Sequence, residues 1–238
     1  MKVLNQLYEG KAKRVFKTDD DQLYMVEYKD DATAFNGEKK GIIDHKGVLN
    51  NKISGWFFNR LTDQGVKNHL VQVVDDDHQL VKRVEIIKLE VIVRNIIAGS
   101  MAERLGLEEG LVAKTPIIEF SYKDDDLGDP LINRYHAQAL GLATKEEIDT
   151  IISEAFKIND LLSQWLDEAN LILVDFKLEF GRTPDGTIIL ADEISPDTCR
   201  LWDKDTREKL DKDRFRRDLG GVAEAYVEVW RRLQALDQ

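Results

Sequence analysis

Two carboxylates and a lysine in one short segment are the first residues with the makings of chemistry. The run Val174-Asp175-Phe176-Lys177-Leu178-Glu179-Phe180-Gly181 alternates strictly. As a strand it carries Val174, Phe176, Leu178 and Phe180 on one face and Asp175, Lys177 and Glu179 on the other. A second run, Ile188-Ile189-Leu190-Ala191-Asp192-Glu193-Ile194, follows the turn Arg182-Thr183-Pro184-Asp185-Gly186-Thr187, and Asp-Gly between such runs signals a hairpin. With Asp185 and Gly186 as a two-residue loop, Pro184 pairs with Thr187, and Glu179 stands opposite Asp192. Opposed carboxylates repel unless a cation lies between them. A hard divalent ion, Mg²⁺ held together with phosphate oxygens, resolves that repulsion. A solvated strand face with neighbouring carboxylates is the plainer alternative.

Other residues suit anions. Gly10 beside Lys11 and Lys13 would let backbone N–H and ammonium groups approach a polyphosphate, or would be an exposed hairpin with solvated lysines. It is no Walker loop, since no Gly-Lys-Ser/Thr opens a helix. Ala98-Gly99-Ser100 precedes a short helical stretch. Ser100 with Glu103 fits a capping box, and a helix start with Arg94 one strand-end away also suits phosphate. Asp197 and Arg200 lie in an irregular segment after the hairpin, either binding groups or an ordinary ion pair. The acidic turn Asp124 to Pro130 lacks EF-hand spacing, His69 and His78 lack metal-ligand spacing, and Cys199 has no histidine near it in sequence.

These residues need elements to hold them. Leu7 to Phe16 reads as two strand ends around a glycine-bearing turn, and strands are expected at Leu23–Tyr28, Leu70–Val74, Gln79–Val84, Ile86–Ile97 and Thr115–Lys123. The apolar run from Ile86 suggests a central strand whose Lys88, Glu90 and Arg94 want partners or a ligand. Asp30 to Gly47 is polar and glycine-bearing and reads as a mobile loop. Leu49, Ile53, Phe57 and Leu61 have helical spacing, with Gly65 as the stop and Trp56 and Phe57 as core. Thr144-Lys145-Glu146-Glu147 caps the clearest helix, whose stripe runs from Ile148 to Ala169 with Asn170 to end it. A last helical stretch from Asp213 is interrupted at Gly220-Gly221.

The chain of 238 residues can bury a proper core as one large domain or two small ones, with 42% hydrophobic and 33% charged residues. A net charge of -11 argues against a nucleic-acid partner that needs phosphate neutralised. A single cysteine fits a reducing compartment, and neither a signal-peptide core nor a bilayer-length apolar run occurs, so a cytoplasmic protein is expected. Phosphate cradles, metal-binding carboxylates and cationic clamps are the parts of a phosphoryl-transfer site. The residues alone therefore reach a Mg²⁺- and nucleotide-dependent enzyme acting on an anionic small molecule.

Four motifs together go further: Tyr8-Glu9-Gly10-Lys11-Ala12-Lys13, Val93-Arg94-Asn95 with Ala98-Gly99-Ser100, Val174 to Gly181, and Ser195-Pro196-Asp197 with Arg200. In combination and order they resemble the SAICAR synthetase family of purine biosynthesis, in its bacterial single-function form. The resemblance implies an α+β, two-lobed fold related to ATP-grasp and kinase-like architectures, with ATP in the cleft between lobes. It divides the chain into a small β-rich nucleotide-covering domain over residues 1–84 and a larger α/β substrate- and metal-binding domain over 85–238. The implied reaction joins L-aspartate to the carboxylate of carboxyaminoimidazole ribotide (CAIR) while ATP becomes ADP and phosphate; a homodimer without nucleic-acid or membrane partners is also implied. By resemblance, Gly10, Lys11, Ala12, Lys13 and Val15 cover the nucleotide, Ile86 packs near adenine, and Lys123 joins Glu179 on the ATP side. Glu179, Asp192 and Asp129 hold Mg²⁺; Arg94, Ser100, Lys177, Asp197 and Arg200 bind the ribotide, with Lys177 and Asp197 central to catalysis. A small-molecule kinase that ignores aspartate and a nucleotide-binding regulator without turnover are the competing classes.

Overall fold

Alternating residues at the start of the chain build an antiparallel sheet in the computed structural model, which describes residues 1–34 and 37–237. The first strands are β1 (Val3–Glu9), β2 (Lys13–Thr18) and β3 (Leu23–Tyr28). A small hairpin of β4 (Asp31–Ala34) and β5 (Lys39–Ile42) follows where a loop was expected. Its stabilising contacts are distant in sequence, which is why the local pattern hides it. Lys39 donates to the Phe215 carbonyl and to Asp218, each at 2.6 Å, and Gly41 packs beside the Phe215 ring. Phe35 and Asn36 of the expected loop lie outside the described residues.

Helix α1 (Lys46–Asp63) buries Leu49, Ile53, Phe57 and Leu61, and Gly65 beyond its end takes the positive φ of 73° expected of a stop. Strands β6 (Leu70–Val73) and β7 (His78–Lys82) complete a five-stranded sheet in the order β1-β2-β3-β7-β6.

The second sheet begins with β8 (Glu85–Ile96), the long strand anticipated from its apolar run. Helix α2 (Gly99–Leu105) comes next and ends at Gly106 with φ 62°. Ala98, not Ser100, is its N-cap, and no side chain caps it, so the expected capping box does not form. Strands β9 (Val112–Tyr122) and β10 (Leu131–Ile132) lead to α3 (Arg134–Ala139) and α4 (Lys145–Glu168). Thr144 and Glu147 form the capping box of α4, and Asn170 past its end has φ 57°. Then come β11 (Leu171–Arg182), β12 (Ile188–Ala191), β13 (Cys199–Asp203), α5 (Asp213–Arg216) and α6 (Val222–Ala235). Gly220 and Gly221 separate the last two helices with φ 70° and 59°, as their interruption of the pattern suggested.

The main core lies between this sheet and its helices. Ile148, Ile151, Ala155, Ile158, Leu162 and Leu166 of α4 are each 0% exposed and pack with Phe176, Leu178 and Phe180 of β11 and Val91 and Val93 of β8. Spacing of three and four makes these residues one stripe, and each large one contributes roughly 1.5–3 kcal/mol by burial. Val174 departs from the expected face. A register shift between Leu173 and Asp175 reverses the alternation there, and Val174 joins a separate cluster with Ile96, Ala98 and Trp202. Among the described residues no helix is long and apolar enough to cross a membrane.

Strand β11 positions the site. Antiparallel β8 follows one side of it, while β13 pairs with its first half and β12 with its last turns. Between those partners, near Lys177, the chain from Asp192 to Thr198 leaves the sheet, and the Lys177 N–H bonds the Thr198 carbonyl at 2.9 Å. A loop is thereby held over the charged face of a rigid strand.

Candidate active site

Register is the first correction. The hairpin loop is Pro184-Asp185-Gly186: Thr183 and Thr187 close it at 2.9 Å, Gly186 donates to the Thr183 carbonyl at 2.8 Å, and Gly186 has φ 82°. This is the three-residue connection with glycine in the left-handed region, and it slides the ladder by one residue. Glu179 therefore pairs with Ala191 rather than Asp192. Such a slip would carry Asp192 to the wrong face if the strand continued. The strand stops at Ala191, and Asp192 adopts φ 59°, which turns its carboxylate back to the charged face. Asparagine and aspartate tolerate that conformation better than most side chains.

The carboxylate that does oppose Glu179 is Glu90 on β8. Lys177 Nζ lies 2.9 Å from both and 3.9 Å from Asp192 Oδ2. Lys123 reaches Glu179 at 2.8 Å, and Lys13 bonds Asp192 and approaches Glu193 at 3.2 Å. Lys11 holds Asp125 of the acidic turn at 2.7 Å. Burial alone would favour neutral amines; the charges of Asp192 and Glu193 nevertheless keep Lys13, and those of Glu179, Asp192 and Glu90 keep Lys177, above the usual lysine range. Burial likewise opposes the Asp192 charge, but Lys13 and Lys177 hold its carboxyl below the usual range. These oxygens are hard donors of the kind Mg²⁺ takes, so the Glu179 and Asp192 carboxylates fit the ion that the sequence implied. Asp129, at φ 49°, turns one oxygen to the Asp124 N–H at 2.9 Å and faces the same cleft.

A second group of charges gathers at the β13 end of β11. Arg94 bonds Asp175 at 2.7 Å across the ladder and Glu119 at 2.8 Å; Arg200 bonds Asp175 and Asp213 at 2.9 Å each. Gly99 sits against the Arg200 guanidinium with φ 53°, where a side chain would collide with it. Asp197 accepts from Lys46 at 2.9 Å and from the Tyr226 hydroxyl at 2.6 Å. Although burial works against its ionisation, Lys212 and Lys46 hold it as a carboxylate. Burial, reinforced by Arg216 and Lys46, lowers Lys212.

One cleft of about 830 Å³ is lined by both groups. It contains every residue singled out from the sequence: Gly10, Lys11, Ala12, Lys13, Val15 and Ile86 at the β-rich side, with Lys123, Asp129, Lys177, Glu179 and Asp192 in the middle. Arg94, Ser100, Asp197 and Arg200 line its far end. Sequence reading passed over Glu193, Lys212 and Arg216 of the cleft wall, which carry no local motif, and Lys46, which reaches Asp197; His69, for which the sequence suggested a structural or surface place, also borders the cleft. Glu90 was legible as a strand charge in need of a partner, and Asp175 as part of the charged face of its strand. Cys199 also borders the cleft, and burial pushes its thiol far above the usual range, consistent with its dismissal as a nucleophile.

A β-rich sheet set over a larger antiparallel sheet, with lysines and carboxylates between them, defines an enzyme of kinase- and ATP-grasp-like fold. The family model for SAICAR synthetase matches residues 6–233. A phosphoribosylaminoimidazole-succinocarboxamide synthase of Coprothermobacter proteolyticus is 62% identical over 233 residues, covering 98% of this chain and 99% of that one. The crystal structure of the synthase from Ehrlichia chaffeensis superposes with a TM-score of 0.95 at 44% identity, covering 97% of this chain and 99% of the other. A SAICAR synthetase solved in complex with ADP gives 0.93 at 48% identity, over 96% and 97% of the two chains. The chain belongs to the SAICAR synthetase family.

Proposed function

We propose that the protein is an ATP- and Mg²⁺-dependent carbon–nitrogen ligase that condenses L-aspartate with CAIR to give SAICAR, ADP and phosphate. Support comes chiefly from the joining of two charge clusters in one cleft, the lysines around Glu179 and the arginines around Asp175. A triphosphate and an anionic ribotide need such a pair of sites within reach of each other. The ADP complex of a related synthetase supports nucleotide use.

In this reading the lobes 1–84 and 85–238 close on ATP. The Gly10–Ala12 turn and the ammonium groups of Lys11 and Lys13 cover the phosphates, Val15 and Ile86 flank the adenine, and Lys123 meets the phosphate chain. Glu179, Asp192 and Asp129 would hold Mg²⁺, whose charge would offset that on the phosphoryl oxygens. Ser100 and Arg200 take the ribotide phosphate, with Arg94 fixing Asp175 and Arg200 in place. Lys177 lies between the two anions and lowers the cost of bringing them together. A CAIR carboxylate oxygen attacks the γ-phosphorus and ADP leaves. The aspartate amine then attacks the acyl carbon, phosphate departs, and the amine proton is lost. Asp197, held ionised, orients the ribotide as a hydrogen-bond acceptor. No covalent enzyme nucleophile is needed.

The reading places the enzyme in the cytoplasm, where a free cysteine such as Cys199 stays reduced. It also takes the enzyme as a homodimer, for which the exposed Val3 and Leu4 of β1 offer apolar surface. Sedimentation at micromolar concentration tests the dimer. ADP release from ATP, Mg²⁺ and CAIR, with and without L-aspartate, tests the chemistry. Turnover that requires aspartate and yields a succinocarboxamide supports the ligase; turnover indifferent to aspartate indicates a kinase, and nucleotide binding without turnover a regulator.

A further inference from the structure

Ser195 does not line the cleft, but both residues that its hydroxyl holds do. The hydroxyl donates to Glu193 Oε2 at 2.8 Å and accepts from the Asp197 N–H at 3.1 Å. Ser195 is 1% and Glu193 3% exposed, so both bonds are buried. The other Glu193 oxygen lies 3.2 Å from Lys13 Nζ, and Lys46 and Tyr226 hold the Asp197 carboxylate. A buried polar chain therefore runs from Lys13 through Glu193 and Ser195 to Asp197.

A turn alone would need less. A serine hydroxyl that accepts from the N–H two residues on closes an ordinary local turn, and that turn requires no donated bond. The loop is already pinned at Ile194, which is 0% exposed and whose N–H bonds the Ser54 hydroxyl of α1 at 3.2 Å. The bond to Glu193 is thus additional, and it ties a cleft-lining side chain to the turn across that pin. A hydroxyl suits both duties, since one oxygen can donate to a carboxylate and accept from an amide. Alanine would deprive a buried carboxylate oxygen and a buried N–H of that partner.

In the ligase reading Lys13 meets the nucleotide phosphates and Asp197 orients the ribotide, so the chain spans the two partners of phosphoryl transfer. Their reacting atoms must meet at near-attack distance, and a misplacement of about 1 Å costs on the order of a hundredfold in rate. We propose that Ser195 is a positioning residue that fixes the spacing of the nucleotide and ribotide subsites. It acts through Glu193 and Lys13 on one side and the Asp197 backbone on the other, and touches neither substrate. This role rests on the ligase reading of the cleft.

The test is steady-state ADP release with ATP, Mg²⁺, CAIR and L-aspartate, beside a thermal melt, for the wild type, Ser195→Ala, Glu193→Gln and the double variant. Ser195→Ala should lower kcat about thirtyfold while KM for ATP and for CAIR stay within about threefold, the signature of lost spacing rather than lost binding. Glu193→Gln loses the charge that faces Lys13 and should lower kcat in the same way. Ser195→Ala added to it should cost at most about threefold more, because the two act as one link. Normal kcat in a folded Ser195→Ala variant overturns the assignment, as does a rise in one KM alone or full additivity in the double variant. A Glu193→Gln variant with wild-type kcat overturns it whether or not Ser195→Ala folds. Wild-type turnover indifferent to aspartate would overturn the ligase reading and leave the same kcat comparison to judge Ser195. Nucleotide binding without turnover would overturn both.

Discussion

Glu179 and Glu90 stand directly opposite each other on adjacent strands, and one ammonium, that of Lys177, bonds both at 2.9 Å. Like charges at a cross-strand pair destabilise a sheet unless something holds them together. Here the holder is a lysine two residues along the same strand, so the repulsion is built into the strand that carries the site. Asp192 reaches the same ammonium at 3.9 Å from beyond the end of β12. The cluster therefore gathers three carboxylates around one ammonium on the wall of the cleft.

Replacing Glu179 by alanine should lower ligase turnover by about a hundredfold or more, the size of effect seen when one preorganised electrostatic group is removed. Lys123 is 38% and Lys177 27% exposed in their side chains, so water can solvate both once the carboxylate is gone, and the fold should survive. Steady-state ADP release and a circular-dichroism melt check the two halves. Near-normal turnover would remove Glu179 from the metal site.

Gly99 is required by its neighbour. Its φ of 53° is one that side chains rarely adopt, and an added Cβ would meet the Arg200 guanidinium. Arg200 cannot simply give way, because Asp175 and Asp213 hold it at 2.9 Å on both sides. Gly99→Ala should therefore raise KM for the ribotide about tenfold or more while KM for ATP stays within about twofold. Saturation curves for each substrate measure this. Equal weakening of both substrates would show general damage to the fold instead.

Much of this site was legible because charges on strands are hard to hide. Alternation placed Asp175, Lys177 and Glu179 on one face, and Glu90 and Arg94 on a central strand demanded partners that β11 supplies. Hairpin register was not legible to the residue, since Asp185-Gly186 suits a two- or a three-residue loop equally well. Asp192 nonetheless comes back to the charged face through a backbone conformation at φ 59° that no local pattern announces. The β4–β5 hairpin escaped notice because distant Phe215 and Asp218 anchor it. Lys46 escaped for a similar reason: its partner Asp197 lies 151 residues away.

That pairing is open to measurement. The Lys46 side chain is 0% exposed, and Asp197, at 4%, depends on it and on Tyr226 for hydrogen bonds. Removing one partner of a buried ion pair leaves a charge uncompensated and typically costs about 3–5 kcal/mol. Lys46→Met keeps the aliphatic stem and deletes the charge, so urea unfolding should show a loss of that order. Lys212, 3.6 Å from Asp197, stands ready to take over part of the role. A loss below about 1 kcal/mol would mean that it does so fully.

The last prediction concerns pH. Asp211 is 0% exposed, accepts from the Leu201 N–H at 2.8 Å and the Asp213 N–H at 2.7 Å, and has its carboxyl pushed up to about 7 by burial and by the Asp213 charge. Its folded pKa thus lies above the unfolded value of about 3.9. The folded state then holds a proton that the unfolded state has released, so this contribution is complete below about pH 4 and is lost as pH rises towards about 7. One such group gives a slope of about -1.4 kcal/mol per pH unit between those limits. Asp211→Asn cannot titrate and should remove that component, even though the amide loses one backbone hydrogen bond and lowers stability throughout. Urea unfolding of both proteins at intervals from pH 5 to 6.5 isolates the slope from the offset. Parallel curves for wild type and variant would show that Asp211 is already ionised in the folded state, with its two backbone donors and Arg200 outweighing its burial.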